Sequence, residues 1–154
     1  MTVLKLATNI VWGLVLVVCV VIGISIKNKI IGPEGWAEDD AIKALKQKMK
    51  DPDSMVIRSS YVVTRNIEGL DYIAVCGVVD GKNSFGVYAG GSRFVSISTH
   101  SKEFKIFETV ITEIEDTAQT RDARSVNGSS GFEVAYWNEY CVNGNHQSLA
   151  SPGS

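Results

Sequence analysis

Acidic residues are missing from the first 31 positions of this 154-residue chain, and no charged residue of either sign occurs between Leu6 and Ile26. So apolar a stretch cannot share the core of a small water-exposed domain. As a helix rising about 1.5 Å per residue it is long enough to cross a hydrocarbon layer of about 30 Å. An excess of positive charge is also lacking. Lys5, Lys27 and Lys29 carry all the charge of the first 31 residues, so the remainder holds 12 basic against 17 acidic residues, a net of −5. Without a basic stripe to neutralise phosphates, the domain is a poor candidate for a nucleic-acid binder, and no nucleic-acid partner is expected. Cysteine is scarce, with Cys76 and Cys141 the only two outside the apolar run. The chain has no Cys-x-x-Cys pair, no His-Glu-x-x-His, no phosphate-binding loop and no nucleophile elbow, and its two histidines and two remaining cysteines make a poor zinc set. No metal and no cofactor is expected.

The apolar run has three readings. A lipoprotein signal requires small residues before its cysteine, whereas Val17 and Val18 precede Cys19. Cleavage after Ser25 would use the small residues Gly23 and Ser25, but the run exceeds the usual apolar core of a cleaved signal, about 7 to 15 residues. The favoured reading is an uncleaved single-pass anchor. Flanking charge argues weakly about its orientation: Lys27 and Lys29 outweigh Lys5, which by the positive-inside rule would put the carboxyl side in the cytoplasm.

Beyond the anchor, "GPEG" interrupts the chain and "WAEDDAIKALKQKMK" predicts an amphipathic helix with Ala41, Ile42, Leu45 and Met49 on one face. Glu38, Asp39 and Asp40 begin it and lysines end it, a solvated arrangement that suits the helix dipole. Pro52 in "DPDS" stops it. "SMVIRSSYVVTR" and "DYIAVCGVV" read as strands joined by "NIEGL". In the second of these, Tyr72, Ala74, Cys76 and Val78 share a face. "SFGVYAG" and "RFVSIST" read as a third and fourth strand, with a bend at Gly90 and Gly91. "KEFKIFETVITEIED" fits helix or strand and is read as strand, and "TAQTRDARSVNGSS" is read as loop. "GFEVAYWNEYC" predicts a closing helix with Val134, Trp137 and Cys141 on one face, followed by a flexible tail.

The expected organisation is therefore a membrane anchor at residues 1–31, an α+β domain at 32–142 and a tail at 143–154. The domain is an antiparallel sheet of three to five strands with an N-terminal and a C-terminal helix packed on it. Cys76 then points from a strand and Cys141 from the closing helix toward the same layer. Either they remain two small core thiols or they form a disulfide closing a loop of about 65 residues, worth about 2 to 4 kcal/mol.

Catalysis would have to recruit Cys76, His100 or His146, and an acid such as Asp80. Cys76 lies in an apolar strand with no nearby base, and the two histidines lie in a polar turn and in the tail, so the chain reads as a non-enzyme. The turn "DGKNSFGVYAGGSRF" has the composition of a recognition surface. Lys82, Asn83, Ser84, Phe85, Tyr88 and Arg93 combine aromatic area, amide and hydroxyl groups and cations.

Three stretches together, "LKQKMKDPDSMVIR", "VCGVVDGKNSFGVYAGGSRF" and "YWNEYC", resemble a family of small, mostly uncharacterised bacterial and phage envelope proteins. Its members combine a signal anchor or lipoprotein signal with a helix ending in Asp-Pro-Asp-Ser, a Val-Cys-Gly strand, a hairpin and a late Trp-containing helix with cysteine. The chain departs from that pattern at "VVDGKNS" and at Val87. The resemblance implies a Cys76–Cys141 disulfide, a location outside the cytoplasm, and a single-pass inner-membrane protein with its C-terminal domain in the periplasm. The composition of the turn makes binding of an unidentified envelope protein the leading expectation, and the resemblance allows a phage or prophage origin, with modulation of a host envelope factor as one such role. The alternatives are a small envelope hydrolase or ligand-binding enzyme with an unrecognised site, and a cytoplasmic membrane-tethered regulator with both thiols reduced.

Overall fold

The computed structural model describes Trp12 and residues 32–88 and 90–148. Two compact units divide the chain, Met1–Gly32 and Pro33–Ser154. Apart from Trp12, the expected membrane segment 6–26 lies outside the described residues, as do residues 149–154. Among the described residues, no helix is long and apolar enough to cross a membrane.

The second unit is built on a four-stranded antiparallel meander. Its strands are β1 (Val56–Ile67), β2 (Leu70–Asp80), β3 (Ser92–Ser101) and β4 (Ile106–Ile114), in the order β1-β2-β3-β4. Helix α1 spans residues 32–48 and is followed by a 3-10 turn at Pro52–Ser54. Helix α2 spans Thr117–Ser125. Helix α3 spans residues 131–140, with a π-helical middle at Glu133–Trp137 and a last α-helical turn at Asn138–Tyr140.

Strands β2 and β3 are buried on both alternations, so each face of the sheet has a cover. On one face Ile73, Val75, Val79 and Phe94 pack under Ala37, Ala41 and Leu45 of α1. The spacing of four puts these three helix residues on one stripe, and two alanines let the helix come close to the strands. Ile42, expected on this stripe, is exposed. On the other face Ala74, Cys76, Val95 and Ile97 pack against Cys141, with Phe132, Tyr136, Trp137 and Tyr140 around them. The two terminal helices thus cover opposite faces, and the domain has three layers.

Three expected elements differ. The "SFGVYAG" segment is not a strand. It belongs to the connection between β2 and β3, residues 81–91, whose one ladder contact among the described residues is a bridge between Lys82 and Tyr88. Gly86, Gly90 and Gly91 all have positive φ, which breaks the extended repeat. The "TAQTRDARS" part of the expected loop is α2, begun by the Asp116 carboxylate accepting from the Ala118 and Gln119 amides. Within α3, Val134 is exposed rather than facing the core with Trp137 and Cys141, because the wider π turn shifts the residues around the axis. The segment 106–114, ambiguous in sequence, is β4.

Two bulges keep the layers in phase. Arg58 is the extra residue of β1 opposite Val78 and Val79, and Val110 is the extra residue of β4 opposite Ile97 and Ser98. Because Val110 is inserted, Phe107 and Ile114 both reach the α1 side although their numbers differ in parity.

Candidate functional site

The 81–91 connection is held by its own backbone and one amide. Asn83 Oδ1 accepts from the Phe85 amide at 2.9 Å and the Val87 amide at 3.2 Å. Asn83 N donates to Val87 O at 2.9 Å, and Gly86 N donates to Asn83 O at 2.9 Å. At its base, Lys82 N donates to Ser54 Oγ at 2.9 Å, and Ser54 Oγ donates to Asp51 O, tying the connection to the 3-10 turn after α1. Gly81 N donates to Asp80 Oδ1 at 2.8 Å.

This frame presents apolar side chains to water. Phe85 is 91% exposed, Val87 60% and Tyr88 40%. The Tyr88 ring has two cations within 6 Å of its centre, Arg58 at 5.6 Å and Lys82 at 5.9 Å. Arg58 also pairs with Asp80 at 2.7 Å, and its hydrogen bond holds the Asp80 carboxyl below its ordinary range.

Lys82, Asn83, Ser84, Phe85 and Tyr88 therefore share one exposed connection, whereas Arg93 stands apart from it. The Arg93 guanidinium lies between Glu115 and Glu133, bonding Glu115 Oε2 at 2.7 Å and Glu133 Oε1 at 2.9 Å. It also lies over the rings of Phe132 and Trp137 at 5.6 and 5.2 Å. Arg124 reaches the same Glu133 oxygen at 2.6 Å, and the Ser130 amide donates to Oε2. Burial alone would raise the Glu133 pKa, but the hydrogen bonds from Arg124, Arg93 and Ser130 outweigh it and hold it at about 2. Arg93 joins β3 to α3.

Cys76 and Cys141 form a disulfide with Cα atoms 5.8 Å apart, and both residues are fully buried. The sulfur of Cys76 is therefore not a free nucleophile. His100 faces Asp71, Nδ1 to Oδ2 at 3.5 Å, and meets the Trp36 ring edge-on at 6.2 Å, so it is half-buried rather than solvated in a turn. Asp71 also accepts from Asn66 at 2.6 Å, which is the main reason its carboxyl titrates below the ordinary range. His146 stacks on Tyr61 with ring centres 3.6 Å apart and bonds Asn143, while Tyr61 donates to Cys141 O at 3.0 Å. Arg65 donates to the Val142 carbonyl at 2.8 Å. Residues 142–146, expected to belong largely to a free tail, are folded onto β1 above the disulfide. Among the described residues, no group of three or more His, Cys, Asp or Glu side chains is arranged to hold a metal ion.

A second feature had no signal in the sequence. Lys48 and Lys50, read as helix-end charges, line a groove with Lys82, which lies more than thirty positions away. Comparison of the chain with protein-family models, curated proteins and solved structures gives no match.

Proposed function

We propose that this protein is a single-pass, membrane-anchored extracytoplasmic domain that works by binding an envelope protein through the 81–91 connection. One observation carries the reading: Phe85 stands almost wholly in water on a turn that four hydrogen bonds hold in one shape. A solitary exposed apolar residue is ordinary. An aromatic flanked by Val87 and Tyr88 on a preorganised turn is an anchor that needs little ordering when a partner closes over it. The buried disulfide supports an oxidising compartment, because such bonds persist outside the cytoplasm and are reduced within it. The uncharged run Leu6–Ile26 supports the anchor.

A photo-reactive amino acid placed at Ser84 in the full chain, irradiated in cells, tests this. The expected result is a discrete adduct with an envelope protein, lost or reduced at least about fivefold by Phe85→Ala while the unfolding temperature is unchanged. No adduct, or one indifferent to Phe85→Ala, would count against the hairpin as the binding surface.

A further inference from the structure

Between the end of α1 and the base of the 81–91 connection lies an open groove of about 410 Å3, lined by Lys48, Lys50 and Lys82 over an apolar floor that includes Met49 and Ile114. We infer that this groove receives an acidic segment of the protein partner, a stretch in which carboxylates alternate with apolar side chains. The inference rests on the hairpin being the binding surface, and it names the chemistry of what binds there.

Charge carries the argument. The chain beyond residue 31 has a net charge of −5, yet the groove brings three lysines to one place against a single acid, Glu113. That acid is engaged by Lys48 at 3.4 Å, and among the described residues Lys50 and Lys82 have no ion pair, so theirs is the charge that an incoming carboxylate meets. Lys50 and Lys82 are both exposed. Position supports the same conclusion. The Ser54 hydroxyl holds the backbone of Lys82 against the turn after α1, so the lysines converge by a fixed contact rather than by chance approach of flexible chains. Lys82 also flanks the Tyr88 ring, which makes the groove continuous with the exposed aromatic surface. A segment lying along both would set its carboxylates among the lysines and its apolar residues on Met49, Ile114 and the hairpin aromatics. Opposed charge of this kind sets encounter rate and selectivity and is weakened by salt.

The test uses the full chain in zwitterionic nanodiscs and a short, fluorescently labelled peptide that alternates glutamate with leucine. The expected result is binding that weakens about tenfold between roughly 50 and 250 mM salt. Lys50→Gln with Lys82→Gln should weaken it by a similar factor at low salt, and Glu113→Gln should tighten it by removing the competing carboxylate. The same peptide with lysine for glutamate should not bind. Thermal unfolding of each variant checks that the fold is kept, and Glu113→Gln gives a gain that damage to the fold would not produce. No binding of the acidic peptide, or binding indifferent to both changes, would overturn the inference. So would attachment to phosphatidylglycerol vesicles in place of the peptide, which would make the groove a headgroup site. An adduct at Ser84 without peptide binding removes the groove and leaves the 81–91 connection as the binding surface, whereas peptide binding without an adduct removes that surface, and with it the assignment of the groove to a segment of the protein partner.

Discussion

Gly77 leaves no room for a side chain. A Cβ there would lie 2.0 Å from the carbonyl oxygen of Ser59 and 2.9 Å from the Phe94 ring. The bulge at Arg58 ends beside Ser59, and Phe94 is the cross-strand partner of Gly77 and is fully buried. The glycine after Cys76 therefore makes the space that the largest buried ring of the sheet occupies. Gly77→Ala is expected to cost about 3 kcal/mol, read as a lowered urea midpoint with little change in slope. An unchanged midpoint would mean that β1 can move aside freely. The residue scale also shows what was legible. Strand alternation alone put Ala74 and Cys76 on one face, because a period of two needs no knowledge of partners. The inward role of Arg93 was not legible, since a cation between a glycine pair and an apolar strand looks the same whether it meets solvent or two glutamates from distant elements.

Helix α3 is held to the sheet from both ends, by the disulfide at its carboxyl end and by Glu133 with Arg93 at its start, where Arg124 also ties it to α2. The carboxyl of Glu133 has an ordinary value of 4.5 and one of about 2 in the folded protein. A depressed folded value stabilises fully above 4.5. As pH falls from there toward 2, the unfolded chain takes up its proton first and the stabilisation is lost, on the order of 2 to 3 kcal/mol. Equilibrium unfolding from pH 6 to pH 2 should show this fall. Glu133→Gln should flatten it and lower stability at neutral pH, because two arginines lose their shared carboxylate. A variant with the same acid profile as the parent would remove Glu133 as the cause. Among the elements, those with apolar periodicity were readable: α1, β1, β2, β3 and the existence of α3, with β4 read as strand from a segment whose pattern also fitted a helix. Helix α2 was not, because "TAQTRDARS" has no apolar stripe and is fixed instead by Asp116 at its start and by contacts of Thr120 and Arg124 with Ser130 and Glu133. Asp116 before good helix formers was the one local signal for it. The false third strand came from the alternation of Phe85 and Val87, which here means exposure rather than a buried face.

At the scale of the whole molecule, a helix on each face of a four-stranded sheet leaves the 81–91 connection standing clear of both layers, its base fixed and its tip in water. The disulfide joins the central strand β2 to the end of α3, and the peptide at 142–146 lies over it through Tyr61, Arg65 and His146. Closing a loop of 65 residues stabilises the domain by about 2 to 4 kcal/mol, a large share of what a unit of this size possesses. The convergence of Lys48 and Lys50 on Lys82 exists only at this scale. The central claim, a domain closed by Cys76 and Cys141 in an oxidising compartment, is tested most directly by thiol counting on a Cys19→Ser chain. Cells are lysed in denaturant with excess alkylating reagent, and the intact mass is measured with and without prior reduction. The account predicts no label before reduction and two after it; two labels without reductant would show free thiols and contradict it.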